Sequence, residues 1–126
     1  MQDGDTLTLL VDNQRVRVRL AEIDAPEKGQ PFGTRSRKSL SAMCAGKVAE
    51  VDSRERDKYG RIVGRVTCDG KDTSVEQVRA GMAWVYDYYT RDQSLYRLQD
   101  EARAERRGLW ADKLPVPPWE WRRAVR

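Results

Sequence analysis

Asp24 and Glu27 stand three residues apart, with Pro26 between them, at the end of Arg19-Leu20-Ala21-Glu22-Ile23-Asp24-Ala25-Pro26-Glu27. Pro26 fixes its own φ and biases Ala25 toward extended geometry, so a strand arriving here ends in a stiffened turn. That stiffness holds both acids at one mouth, with Arg19 a few residues upstream. Two carboxylates and an arginine so held can bind a hard cation and a phosphate together. This is the chemistry of a phosphodiester-cleaving rim.

Two other stretches carry matching groups. Asp3-Gly4-Asp5-Thr6 reads as a turn entering a strand, and an Asp-Gly pair taken by itself is only a turn. Arg61 closes the charged hairpin Asp57-Lys58-Tyr59-Gly60-Arg61, which alone is a solvated turn. Aimed at the same phosphate as Arg19, it would be a second cation neutralising a phosphorane-like transition state. The chain has no histidine, which excludes histidine acid–base nucleases, serine–histidine–aspartate hydrolases and histidine-ligated zinc. Its two cysteines cannot build a four-cysteine zinc site. Hydrolytic chemistry must come from carboxylates, arginines and a metal bound through oxygen.

The elements that would position these groups follow from period and punctuation. Thr6 to Val11 is an expected strand, Asp12-Asn13-Gln14 a reversal, and Arg15 to Leu20 alternates at strict period two, with Val16, Val18 and Leu20 on the core face. That hairpin brings Asp5 toward Asp24. A helix is expected from Thr34 to Ala45, capped by Thr34 and stopped by Gly46. Strands are expected at Val48 to Ser53 and Arg61 to Cys68, joined by a charged link over 54–60. Thr73-Ser74-Val75-Glu76 matches a capping box that opens a helix through Ala80. Trp84, Val85 and Tyr86 suit a short extended segment, and 94–107 the longest helix. Strands with helices inserted and appended suggest a small β-barrel of the α+β class, mainly β.

At 126 residues the chain is one domain's worth, read as a single unit over 1–126 with a Pro/Trp-rich tail over 115–126. Net charge is +4 and the pI near 9.3, yet 20 acids accompany 24 bases, so charge alone leaves nucleic acid and a mixed solvated surface equally open. No apolar run approaches the roughly 20 residues that cross a bilayer. No signal peptide precedes Asp3, so secretion or a periplasmic location would imply a leader already removed.

Taken together, Asp3-Gly4-Asp5-Thr6, Arg19-Leu20-x-x-Ile23-Asp24-Ala25-Pro26-Glu27 and Asp57-Lys58-Tyr59-Gly60-Arg61 resemble the staphylococcal nuclease (thermonuclease) family. The likeness extends to Arg107-Gly108-Leu109-Trp110, and Pro117-Pro118-Trp119-Glu120-Trp121 is similar to tails of bacterial members. It implies a five-stranded OB-fold barrel with about three helices, and a Ca²⁺-dependent nuclease acting on DNA and RNA to leave 3′-phosphates. By motif, Asp5, Asp24 and the Ala25 carbonyl would hold Ca²⁺, and Arg19 and Arg61 would clamp the phosphate. Glu27 would position or deprotonate the attacking water, and Lys58 and Tyr59 would contact a terminal phosphate. Tyr89 is the candidate base-stacking tyrosine.

The chain departs from the family in places. Alanine stands at position 25 where threonine is frequent, so only its carbonyl carries over. The family's first strand precedes the Asp-Gly-Asp turn, so one barrel edge here is expected to be unpaired or completed by another chain. A monomer is expected, with a strand-exchanged dimer as the alternative. Cys44 ends a helix and Cys68 a strand; they are either two buried thiols or, in an exported protein, a disulfide. Trp119 and Trp121 alternate with Glu120, which suits a strand-like tail with both rings on one face. The rival function is an OB-fold module that holds single strands without cutting.

Overall fold

The computed structural model describes residues 3–125; Met1, Gln2 and Arg126, the ends of the expected domain, lie outside the described residues. β1 (Thr6–Val11) and β2 (Gln14–Leu20) form the expected antiparallel hairpin, in register from Thr6↔Arg19 to Val11↔Gln14. Asp12 and Asn13 turn it with φ of 51° and 64°, a left-handed pair that these short polar side chains tolerate. The period-two alternation buries Val18 and Leu20 and leaves Arg15 and Arg17 exposed.

β2 then pairs in parallel with β5 (Ile62–Cys68), and β5 pairs antiparallel with β4 (Ala49–Arg56). A short β6 (Lys71–Asp72) joins the end of β5, and the main path runs β1-β2-β5-β4. β3 (Ile23–Asp24) leaves this sheet and pairs with β7 (Trp84–Val85) in a separate two-stranded ladder. The outcome is an OB-fold-like mixed sheet rather than the expected closed barrel. Closure needs a strand bridging β1 and β4, and none does so among the described residues. The apolar Leu10, Val11 and Val48 near those edges are correspondingly 73%, 51% and 86% exposed.

Helices number four among the described residues, not three: α1 (Gly33–Cys44), α2 (Thr73–Arg79), α3 (Ser94–Ala104) and α4 (Pro118–Ala124), with a 3-10 turn over Gly108–Ala111. Their ends correct several expectations. Phe32, not Thr34, precedes α1, in the left-handed region with no side-chain cap. Gly33 begins the helix, and it must be glycine because a Cβ there would stand 2.1 Å from the Glu27 carbonyl oxygen. Asp72 caps α2 by accepting from the Val75 N–H at 3.1 Å, which frees the Thr73 hydroxyl to donate to the Val66 carbonyl. β4 runs through Arg56, where a charged link was expected, because pairing with β5 resumes after a bulge at Ser53/Glu55. The tail is helical rather than extended, since Pro118 at the first helical position favours a helix.

The main core gathers Leu7, Val18, Leu20, Ile23, Leu40, Val66, Val78, Val85 and Leu95 between the sheet and α1 to α3. Cys44 at the end of α1 and Cys68 at the end of β5 are joined by a disulfide across a sequence separation of 24. Closing a loop of that size contributes roughly 3 kcal/mol through the denatured chain. Urea unfolding of the Cys44→Ser/Cys68→Ser protein should therefore show a loss of about that size. An unchanged midpoint would mean that the bridge constrains nothing.

Candidate active site

The Asp3-Gly4-Asp5 turn is pinned from beneath by two helices. Gln77 of α2, fully buried, donates to the Gly4 carbonyl at 2.8 Å and the Ser36 carbonyl at 3.1 Å, and accepts from the Ser39 hydroxyl at 2.7 Å. Position 4 must be glycine because a Cβ would lie 1.8 Å from Ser36 Oγ. Asp5 is thereby aimed at the end of β3. Its Oδ2 accepts from the Ala25 N–H at 2.8 Å, its Oδ1 from the Thr6 hydroxyl at 3.1 Å, and its carbonyl from the Leu20 N–H at 2.7 Å.

Arg19 sits between the acids, with Nη2 3.4 Å from both Asp5 Oδ2 and Asp24 Oδ1, while Nη1 donates to the Leu20 carbonyl at 2.6 Å. Glu27 follows Pro26 on a loop held by Gln30, which accepts from the Glu27 N–H at 2.9 Å and donates to the Val116 carbonyl at 2.7 Å. The structure thus brings Asp5, Ala25, Asp24, Arg19 and Glu27 to one mouth.

Arg61 reaches that mouth from the hairpin between β4 and β5. Asp57 organises the turn by accepting from the Tyr59 N–H at 3.0 Å and the Arg61 N–H at 2.9 Å, and it pairs with Arg61 Nε at 2.7 Å. Arg61 Nη1 then stands 3.4 Å from Thr6 Oγ1, the hydroxyl that contacts Asp5. The Tyr59 ring has two cations near it, Lys58 Nζ at 5.3 Å and Arg61 Cζ at 5.5 Å from its centre. Tyr89 is exposed along the same groove, edge-on to Tyr86 at 4.9 Å. Acids, arginines and tyrosines share one open groove of about 940 Å³.

Burial penalises the charged form of all three aspartates on the groove floor. Burial, reinforced by the hydrogen bond and charge of Asp5, pushes Asp3 up to about 8. Burial also pushes Asp24 up to about 6, with Arg122 and Arg19 opposing and the Asp5 charge adding to the rise. Burial works against Asp5 as well, but the Arg19 charge and the hydrogen bonds from Asp3, Ala25 and Thr6 hold it below the ordinary carboxylate value. Acids whose charge is penalised in this way suit a cation, and their donors are all oxygen, which suits a hard one. Among the described residues no three His, Cys, Asp or Glu side chains close a ready metal cage, so backbone oxygen and water would complete any shell built on Asp5 and Asp24.

Three residues of the groove escaped the sequence reading. Asp3 was legible as part of the Asp-Gly-Asp turn but passed for turn chemistry. Glu22 has φ 72° and a fully buried side chain, and it carried no local signal at all. It accepts from Arg65 Nη1 at 2.7 Å, from Arg54 Nη1 at 3.1 Å and from the Arg91 and Asp92 N–H groups, which fastens the tyrosine loop to the sheet. Arg122 comes from α4, 98 residues from its partner Asp24.

A mixed sheet whose hairpin ends gather acids and arginines along one groove is an OB-fold-like domain. A family profile described as "Staphylococcal nuclease homologue" matches residues 17–112, and the chain belongs to the staphylococcal nuclease family. A protein from Escherichia coli named "Uncharacterized endonuclease" is 49% identical over 121 residues, 95% of this chain and 79% of its own. A Shigella flexneri protein named "Micrococcal nuclease" is 44% identical, covering 97% of this chain and 76% of its own. A rice protein named "Probable staphylococcal-like nuclease CAN1" is 39% identical over 90% of this chain but only 34% of its own.

Proposed function

We propose that the protein is a Ca²⁺-dependent endonuclease that hydrolyses DNA and RNA with little sugar specificity and leaves 3′-phosphates. The carrying observation is the Arg19 guanidinium, 3.4 Å from each of two buried aspartates, with Arg61 linked to one of them, Asp5, through Thr6. Family membership and the names of the bacterial relatives support the nuclease reading.

Asp5, Asp24 and the Ala25 carbonyl would hold the cation, which when bound polarises the phosphate and offsets its charge. Arg19 and Arg61 bind the non-bridging oxygens and meet the charge that develops there. Glu27, with its side chain 28% exposed, is wet enough to orient or deprotonate a water. Lys58 and Tyr59 take a terminal phosphate, and Tyr89 stacks on a base. The Cys44–Cys68 disulfide supports a secreted or periplasmic site of action. A monomer suffices for this arrangement, because every residue invoked comes from one chain.

Cleavage of single-stranded DNA and of RNA should proceed with Ca²⁺ and stop on adding EGTA, in a preparation whose circular dichroism shows it folded in both conditions. Folded protein that retains single strands yet never cuts them would replace this reading with that of a binding module.

A further inference from the structure

Arg122 occupies the metal side of the groove. Its Nη2 stands 2.7 Å from Asp24 Oδ2 and its Nη1 3.1 Å from Asp24 Oδ1, so one guanidinium engages both oxygens of the carboxylate. Nη1 also donates to Glu27 Oε1, and Nη2 lies 3.4 Å from the Tyr86 hydroxyl. The arginine thus takes up the acid expected to ligate the cation and the acid expected to serve the water.

The element that carries it is short and is held at a few points. α4 spans seven residues, too few to be stable by itself. Trp119 anchors it by stacking on Tyr86 at 5.3 Å, 3° from parallel, and by an edge contact to Trp84 at 5.8 Å. Only Pro118 of this helix is buried.

A divalent cation on Asp24 would compete with Arg122 for the carboxylate oxygens and would meet a like charge at close range. We infer that Arg122 sets the cation affinity of this centre: it neutralises Asp24 and Glu27 in the metal-free protein, and cation binding drives it off together with α4 and Trp119. The inference rests on the metal site proposed above. Its consequence is that one binding event fills the site, frees Glu27 for water and uncovers Tyr86 along the groove.

The test is calorimetric titration of Ca²⁺ into metal-free protein, with tryptophan emission followed in parallel. Arg122→Ala should bind Ca²⁺ roughly tenfold tighter or more, the size expected for removing one competing unit charge from a half-buried site. Arg122→Lys, which keeps the charge but loses the two-pronged grip, should fall between. In the wild type, Ca²⁺ should shift the emission to the red as Trp119 leaves Tyr86 and Trp121 leaves its crevice, and Trp119→Phe should reduce the shift. Equal or weaker affinity in Arg122→Ala overturns the inference, and so does Ca²⁺ binding that leaves the emission of Trp119 unmoved. Asp24→Asn separates the two levels. If it binds Ca²⁺ as the wild type does, or if no variant binds, the metal site itself is misplaced and the inference falls with it.

Discussion

Replacing Arg61 by alanine should lower kcat/KM on single-stranded DNA about a hundredfold, equivalent to ~2.7 kcal/mol of transition-state stabilisation, while leaving the fold nearly intact. The reasoning starts from exposure: the Arg61 side chain is 24% exposed and its partner Asp57 20%, a half-solvated pair with little net effect on stability. Asp57 also keeps the two backbone N–H groups that shape the hairpin, so the turn survives loss of the guanidinium. What disappears is a donor aimed into the groove beside Thr6 and Asp5. Arg19→Ala should cost as much activity and also destabilise the protein, because it leaves Asp5 and Asp24, both buried, without the cation between them. Initial rates and urea unfolding on the two variants separate these effects. Activity within error of wild type for Arg61→Ala would mean that the phosphate clamp is misassigned.

Glu27→Ala should reduce kcat on the order of 10² to 10⁴-fold, the range for a positioned general base, with the unfolding midpoint almost unmoved. The loop geometry does not depend on its carboxylate: the Glu27 N–H is held by Gln30, the Glu27 carbonyl accepts from the Gln30 N–H, and Gly33 packs on that carbonyl. Among the described residues the side chain's recorded polar partner is Arg122, itself 36% exposed. KM should change less than kcat, since the lost group acts on water rather than on the phosphate. Turnover comparable to wild type would remove Glu27 from the chemistry.

Much of the site was legible because its parts lie close together along the chain or at the ends of one hairpin. The period-two run into Leu20, the reversal at Asp12-Asn13 and the proline at 26 dictate that Asp5, Arg19, Asp24 and Glu27 converge, and short-range sterics suffice to say so. The Asp57 to Arg61 hairpin is likewise a local object. Residue chemistry narrowed the reaction in the same way: with no histidine and two cysteines, only oxygen ligands and arginines remain.

What the chain's local patterns could not carry was decided by packing at a distance. The caps moved by a residue or two because Asp72 reaches the Val75 N–H while the Thr73 hydroxyl finds the Val66 carbonyl instead, a contact outside the helix. The tail looked extended, since Trp119 and Trp121 alternate, but Pro118 starts a helix and sends the two rings to different places, Trp119 onto Tyr86 and Trp121 into a crevice beside Phe32 and Pro115. The barrel stayed open because closure is a property of strand pairing around the whole sheet. Sequence by itself determined the chemistry available and the turn that concentrates it. Tertiary structure alone decided that Glu22 would fasten the tyrosine loop and that Arg122 would stand on Asp24, because burial and charge pairing act between residues that no local period connects.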